Sequence, residues 1–116
     1  MPTILVVEDE APLAAILQRV LTRAGYRVVQ VPDGQAALDV LATMRPAVVV
    51  TNLHLPVLDG RTLCQRLAAD PQYQAIPRIV IGGERLAVDD LPADTTVVPK
   101  PVALEVLLAT VQQVVR

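Results

Sequence analysis

Short β-branched runs alternate along the chain with longer segments of helical spacing, and this alternation limits the possible folds more than any other feature. Continuous apolar runs of this length are typical of strands that are covered on both faces. Five such runs are present: Thr3–Val7, Arg27–Val31, Ala47–Thr51, Arg78–Ile81 and Thr96–Val98. We therefore predict five strands in the core of an α/β domain.

The segments between these runs place apolar residues three and four positions apart, as on one face of a helix. Gly25 follows the first such segment, where a left-handed C-terminal cap is expected. Asp33 is the expected N-cap of a second helix that includes Met44 and stops at Pro46. The remaining helices are predicted to begin after Gly60 and end at Pro71, and to cover the stripe from Leu104 to Val115.

Strand–helix–strand order requires crossover connections, which produce a parallel, doubly wound sheet with helices on both faces. The 116 residues suit one domain, and no repeat or interdomain linker interrupts them. We therefore expect a single domain over residues 1–116. Between the fourth and fifth strands, Gly83–Asp94 is short and contains two adjacent acids and a proline, so its helix is predicted to be short or absent.

Composition excludes several kinds of partner. The formal net charge is −2 and no run of Lys or Arg is present, which argues against nucleic acids and anionic membranes. The start of the chain becomes acidic too soon for a signal peptide, and no apolar stretch approaches the roughly 20 residues of a membrane span. We expect a cytoplasmic protein, in which Cys64, the only cysteine, is a small apolar residue on a helix.

Polar residues follow the strands at the ends where ligands bind in open parallel sheets. Glu8 and Asp9 follow the first strand, Asn52 the third and Lys100 the fifth, whereas Gly82, without a polar side chain, follows the fourth. Clustered carboxylates repel one another unless a cation lies between them, and oxygen ligands suit a hard ion such as Mg²⁺. A lysine at the same edge would neutralise the acids or hold an anion. The alternative is that these are solvated charges at strand ends.

Four motifs in order give the chain a family resemblance over essentially its whole length. They are ILVVEDE (Ile4–Glu10), LHLPVLDG (Leu53–Gly60), Ile76-Pro77 before the fourth strand, and Lys100-Pro101 after the fifth. With these motifs the chain resembles the receiver domain of two-component response regulators. The resemblance implies a flavodoxin-like sheet with strand order 2-1-3-4-5.

The resemblance also implies a set of site residues, of which only some match the family. The matching residues are the acids that hold Mg²⁺ and the lysine of the site: Glu8, Asp9 and Lys100. The family's metal-binding backbone carbonyl falls on His54, whose side chain we interpret as facing solvent. At three positions the residue differs from the one that the family uses. Asn52 replaces the aspartate that accepts the phosphoryl group, Gly82 replaces the Thr or Ser whose hydroxyl starts the switch, and Val97 replaces the aromatic residue of the switch.

These replacements remove separate parts of one mechanism. An amide oxygen is a poor nucleophile and forms no comparable acyl phosphate. Asn52 also removes one negative charge, so Mg²⁺ would bind only weakly through Glu8, Asp9, Asn52 and the His54 carbonyl. Gly82 has no hydroxyl and Val97 has few rotamers. We predict a degenerate receiver that needs no cofactor and is not an enzyme.

Such a domain would signal by binding a protein. The family resemblance points to the face Gly83–Arg116, with a second copy, a histidine kinase or an effector domain as its partner. An alternative is an engineered or silenced form of a phosphorylatable receiver. A flavin or nucleotide binder on the same fold is disfavoured, because Glu8 and Asp9 occupy the place of a glycine-rich phosphate loop.

Overall fold

The computed structural model describes residues 1–82 and 91–115 and contains one parallel sheet. Its spatial order is β2-β1-β3-β4-β5, and every pair of neighbouring strands runs parallel. The predicted sheet and strand order are confirmed. The strands are β1 (Thr3–Val7), β2 (Arg27–Val31), β3 (Val48–Asn52), β4 (Arg78–Ile81) and β5 (Thr95–Val98).

Helices cover both faces of the sheet, as predicted. They are α1 (Ala11–Arg23), α2 (Gly34–Leu41), α3 (Gly60–Ala69) and α4 (Leu104–Val114). Successive residues of a strand point to opposite faces, so β1 supplies both cores. Ile4 and Val6 pack with residues of α1 and α4, whereas Leu5 and Val7 pack with residues of α2 and α3.

Several element boundaries differ from the predicted ones. The third strand runs from Val48 to Asn52, and the fifth begins at Thr95. The second helix ends at Leu41 rather than extending past Met44, because the amides of Thr43 and Met44 both turn back to the carbonyl of Val40. The prediction for the helix between β4 and β5 concerns residues 83–90, which lie outside the described ranges. No helix within the described ranges has the length and hydropathy to cross a bilayer.

Local side-chain chemistry fixes where the helices start and stop. Gly25 has φ 99°, the left-handed conformation expected after α1. Asp33 caps α2 by accepting a hydrogen bond of 2.8 Å from the amide of Ala36. Asp59 caps α3 in the same way, through a bond of 2.8 Å from the amide of Thr62. These caps start the two helices immediately after the loops that follow β2 and β3.

Arg78, the first residue of β4, is only 1% exposed. Its guanidinium donates to the carbonyls of Gln74 (3.3 Å), Ile76 (3.1 Å) and Ala93 (2.9 Å) and to the hydroxyl of Thr95 (3.3 Å). Backbone carbonyls and a hydroxyl thus surround the cation and satisfy most of its five donors. Arg78 thereby ties the turn before β4 to the chain that enters β5.

Cys64 lies on a helix, α3, as predicted, and it is fully buried there beside Leu53 and Val80. Burial raises the pKa of its thiol from 9.0 to about 12, so at pH 8 the folded chain has about a thousandfold less thiolate than an exposed cysteine. A thiol reagent should therefore modify the native protein very slowly and the unfolded protein quickly, as measured by absorbance or mass. Rapid modification of the native protein would contradict this burial.

The same raised pKa has a consequence for stability at alkaline pH. The unfolded thiol ionises near pH 9 and the folded thiol only near 12. Burial of the neutral thiol therefore contributes fully to stability below about pH 9. The contribution should decline as the pH rises from 9 towards 12.

Candidate functional site

The site is built around the carboxyl ends of β1 and β3, which are neighbours in the sheet. Glu8 follows β1 and is 5% exposed. Its Oε2 accepts a hydrogen bond of 3.0 Å from the amide of Glu10, whereas Oε1 is buried without a hydrogen-bond partner among the described residues. Burial raises the pKa of Glu8; the Glu10 amide opposes this shift and the neighbouring Asp9 reinforces it. Asp9 itself is exposed.

Asn52, the last residue of β3, is 3% exposed and contacts Glu8 directly. Its Nδ2 donates to Glu8 Oε2 over 3.4 Å. Its Oδ1 is buried and, within the described ranges, has no hydrogen-bond partner. The structure therefore brings two of the predicted site residues together and leaves an unpaired buried oxygen on each.

The start of α3 lies against the backbone of Asn52. A Cβ atom on Gly60 would overlap the Asn52 carbonyl oxygen and would lie 3.1 Å from Thr51 Oγ1. The Thr51 hydroxyl donates to that carbonyl over 2.9 Å, and the Gly60 amide donates to the carbonyl of Leu53 over 2.9 Å. Glycine at position 60 thus permits the close approach that holds the end of β3 in place.

The loop between β3 and α3 exposes polar and apolar side chains next to the site. His54 is exposed, which confirms the predicted solvent-facing position of its side chain. Val57 is 81% exposed and has φ 66°, a left-handed conformation that β-branched residues rarely adopt. An uncommon backbone conformation and an exposed valine therefore occur in the loop that follows Asn52.

The other predicted site residues lie at the ends of β4 and β5. Gly82 follows β4, and a Cβ atom there would meet Leu53 Cβ at 3.0 Å. Val97 is half-buried in β5, and Lys100 is exposed just beyond it, before a cis peptide bond to Pro101. Among the hydrogen bonds and ion pairs of the described residues, none joins Lys100 to Glu8, Asp9 or Asn52. The lysine shares the edge of the sheet with the acids but, among the described residues, forms no hydrogen bond or ion pair with them.

The oxygen atoms at this site suit a hard cation. Carboxylate and amide oxygens are ligands that Mg²⁺ accepts, and the unpaired Oε1 of Glu8 and Oδ1 of Asn52 are buried oxygens of this kind. The described residues include no group of three or more His, Cys, Asp or Glu side chains placed to hold a metal. The residue beside Glu8 is Asn52, whose neutral amide does not count among these four residue types.

Comparison with known proteins identifies the family. The family model for the response regulator receiver domain matches residues 4–112. The chain belongs to that family. The match covers all four motifs on which the sequence resemblance rests, from Ile4–Glu10 to Lys100-Pro101.

Curated relatives support the same assignment. The receiver domain is 38% identical over 118 residues to the response regulator MprA of Mycolicibacterium vanbaalenii, covering 97% of this chain and 50% of that protein. It is 35% identical to the probable transcriptional regulator ycf27 of Guillardia theta, covering 97% of this chain and 45% of that protein. The chain thus spans about half the length of these relatives.

Solved structures share the fold of this receiver domain. The signal receiver domain of a histidine kinase from Syntrophus aciditrophicus superimposes with a TM-score of 0.92 at 28% identity, covering 99% of this chain and 90% of that one. A receiver domain of a sensor histidine kinase from Pseudomonas aeruginosa, which holds a magnesium ion in its active-site cleft, has a TM-score of 0.87 at 24% identity, covering 98% of this chain and 97% of that one. This second likeness concerns the fold alone.

Proposed function

We propose that this receiver domain is a two-component signalling module that does not accept a phosphoryl group at Asn52 and acts by binding other proteins. The buried contact between the Asn52 amide and Glu8 supports this proposal. A carboxylate oxygen at that position could attack phosphorus, whereas an amide oxygen is a weak nucleophile. On this proposal the module is cytoplasmic, forms one domain over residues 1–116 and is not an enzyme.

The missing carboxylate at position 52 also weakens the site for a cation. In our proposal Glu8, Asp9, the Oδ1 of Asn52 and the backbone carbonyl of His54 are the ligands that Mg²⁺ would use. Only two of these four ligands carry a negative charge, so the Coulomb attraction for a divalent ion is smaller than with a third carboxylate. The module therefore requires no metal for its function, although Mg²⁺ binds weakly.

We also propose that the conformational switch of the family, which uses a hydroxyl and an aromatic side chain, is absent, because both groups are replaced here. Gly82 has no hydroxyl that could follow a phosphoryl group, and Val97 is a half-buried β-branched residue with few rotamers. Lys100 is retained at the site edge but has no phosphoryl group to bind. The surface of the domain would then keep one arrangement whether or not a phosphodonor is present.

The partner-binding face is proposed to include the described part of Gly83–Arg116, namely β5 and α4. Glu105 is the only charged residue in α4, and Val106 is 47% exposed. A nearly uncharged helix with an exposed valine suits contact with another protein better than contact with an ionic ligand. The partner would be a second copy, a histidine kinase or an effector domain.

Intact-mass measurement after incubation with acetyl phosphate and Mg²⁺ tests the missing acceptor. The natural chain should keep its mass, because Asn52 offers no carboxylate. The Asn52→Asp variant is the matched control and should gain the mass of one phosphoryl group, since Glu8, Asp9 and Lys100 are retained. A stable phosphoryl adduct of the natural chain, mapped to the peptide containing Asn52, would overturn the proposal.

Those retained residues also favour a second candidate, a phosphorylatable receiver silenced at one position. The two candidates differ in what happens after the acceptor is restored. If Asn52→Asp is phosphorylated and the amide resonances of β5 and α4 then shift, the switch is intact and the silenced receiver is correct. If phosphorylation leaves those resonances in place, Gly82 and Val97 have removed the switch.

A further inference from the structure

A second feature of the site is a cavity of about 290 Å³ between the loop after β1 and the loop after β2. One part of its wall is acidic and the rest is mainly apolar. Its lining residues are Glu8, Asp9, Ala11, Gln30, Val31 and Pro32. The cavity is far larger than a single metal ion, since a water molecule in the liquid takes up only about 30 Å³.

Glu8 lines this cavity, and only one of its two carboxylate oxygens, Oε2, accepts hydrogen bonds from described residues. Glu8 is 5% exposed, and its Oε1 has no hydrogen-bond partner among residues 1–82 and 91–115. A buried carboxylate oxygen without a donor is costly, so a ligand that brings both positive charge and N–H groups would be favoured. Lys100 does not fill this role, because no hydrogen bond or ion pair of the described residues joins it to Glu8.

A guanidinium group fits this combination best. It carries one positive charge and five donors in a plane, and it binds carboxylates through two parallel hydrogen bonds. The methylene groups of an arginine can pack along apolar walls such as Val31 and Pro32 while the charged end meets the acids. An ammonium group is compact and more strongly hydrated, so it would use less of the cavity.

We propose that this cavity binds the side chain of an arginine presented by a partner protein, with the guanidinium against Glu8 and Asp9. The inference rests on the proposed function and deepens it, because it assigns the chemistry of one partner contact of a non-phosphorylated module. Free arginine is disfavoured, since its own carboxylate would approach Asp9 and Glu10. An arginine within a peptide chain has no such charge.

Titration of isotope-labelled protein with the peptide acetyl-Gly-Arg-Gly-amide tests the site by amide NMR. We expect saturable shifts at Glu8, Asp9 and Val31. The matched peptide with citrulline, a neutral isostere of arginine, should bind at least tenfold more weakly. Mg²⁺ should lower the apparent affinity for the arginine peptide, because both ligands need the same oxygens of Glu8. Equal binding of the citrulline peptide would overturn the assignment, and so would a failure of Mg²⁺ to compete at a concentration that by itself shifts the resonances of Glu8 and Asp9.

Two variants locate the contact. Glu8→Gln removes the buried charge and should weaken binding of the arginine peptide at least tenfold, the loss expected for a charge-assisted hydrogen bond. Glu10→Gln removes the same charge from the same loop outside the cavity lining and should change binding by less than about twofold. If both variants bind equally well, or equally poorly, the peptide lies elsewhere on the acidic surface and the proposal is wrong.

A third variant covers the case in which Glu8→Gln does not fold. Asp9 is exposed, so Asp9→Asn should fold normally and weaken the arginine peptide several-fold. Unchanged affinity in that variant would contradict a contact with Asp9.

The phosphodonor experiment tests the proposed function and the peptide titration tests the arginine site. Phosphorylation of the natural chain would disprove the proposed function, and it would not change the outcome of the peptide titration.

Discussion

The Gly60→Ala substitution is expected to destabilise the domain by about 3 kcal/mol or more, as measured by urea unfolding. The added Cβ would overlap the carbonyl oxygen of Asn52, which is backbone at the buried end of β3 and cannot turn aside as a side chain can. That carbonyl also accepts the Thr51 hydroxyl, and the Gly60 amide is bonded to Leu53. Relief of the overlap would require α3 to move away from the end of β3.

Gly82→Ala is the matched control for this experiment. It adds the same methyl group at the end of a neighbouring strand, but the nearest atoms, at 3.0 and 3.2 Å, belong to the side chain of Leu53. A side chain can move by a few tenths of an ångström, so a loss of roughly 1 kcal/mol or less is expected. Equal losses in the two variants would show that contact with the Asn52 backbone is not what makes Gly60 necessary.

The Arg78→Met substitution should also be strongly destabilising, by about 3 kcal/mol, which corresponds to a decrease of roughly 10 °C in Tm. Methionine has a similar length but donates no hydrogen bonds. The carbonyls of Gln74, Ile76 and Ala93 would lose their guanidinium donor at a buried position. Removing the buried charge recovers part of its desolvation cost, but it leaves these acceptors with fewer partners.

Arg66→Met provides the control, because Arg66 is exposed in the last turn of α3. Its replacement should change the free energy of unfolding by less than about 0.5 kcal/mol. Arg78→Lys should lie between the two, since lysine keeps the charge but cannot reach several carbonyls at once. A methionine variant at position 78 as stable as the natural chain would mean that the desolvation cost of the guanidinium cancels its hydrogen bonds.

Much of the fold could be predicted because local patterns and the sheet geometry agree. The runs around Ile4 and Val49 are apolar on both faces, which occurs where helices cover a parallel sheet on both sides. The contact between Glu8 and Asn52 follows from the same geometry, since the carboxyl ends of neighbouring parallel strands meet at one edge. The strand order depended on the family resemblance.

Features that depend on tertiary contacts could not be predicted from local pattern. Arg78 begins an apolar run, but the partners that permit its burial come from separate turns of the chain. The need for glycine at position 60 depends on the direction in which α3 leaves the sheet. Whether Lys100 forms a hydrogen bond or ion pair with the acids depends on side-chain placement, which position at a strand end does not fix.

Arg78 and Asn52 lie at opposite ends of the adjacent strands β4 and β3. In the register, Asn52 is opposite Ile81 and Val49 is opposite Arg78, so about 10 Å of strand separates the two levels. Effects of substitutions at that separation usually add independently. Stability at Arg78 and the chemistry around Asn52 can therefore change separately, and an evolving lineage could adapt one without altering the other.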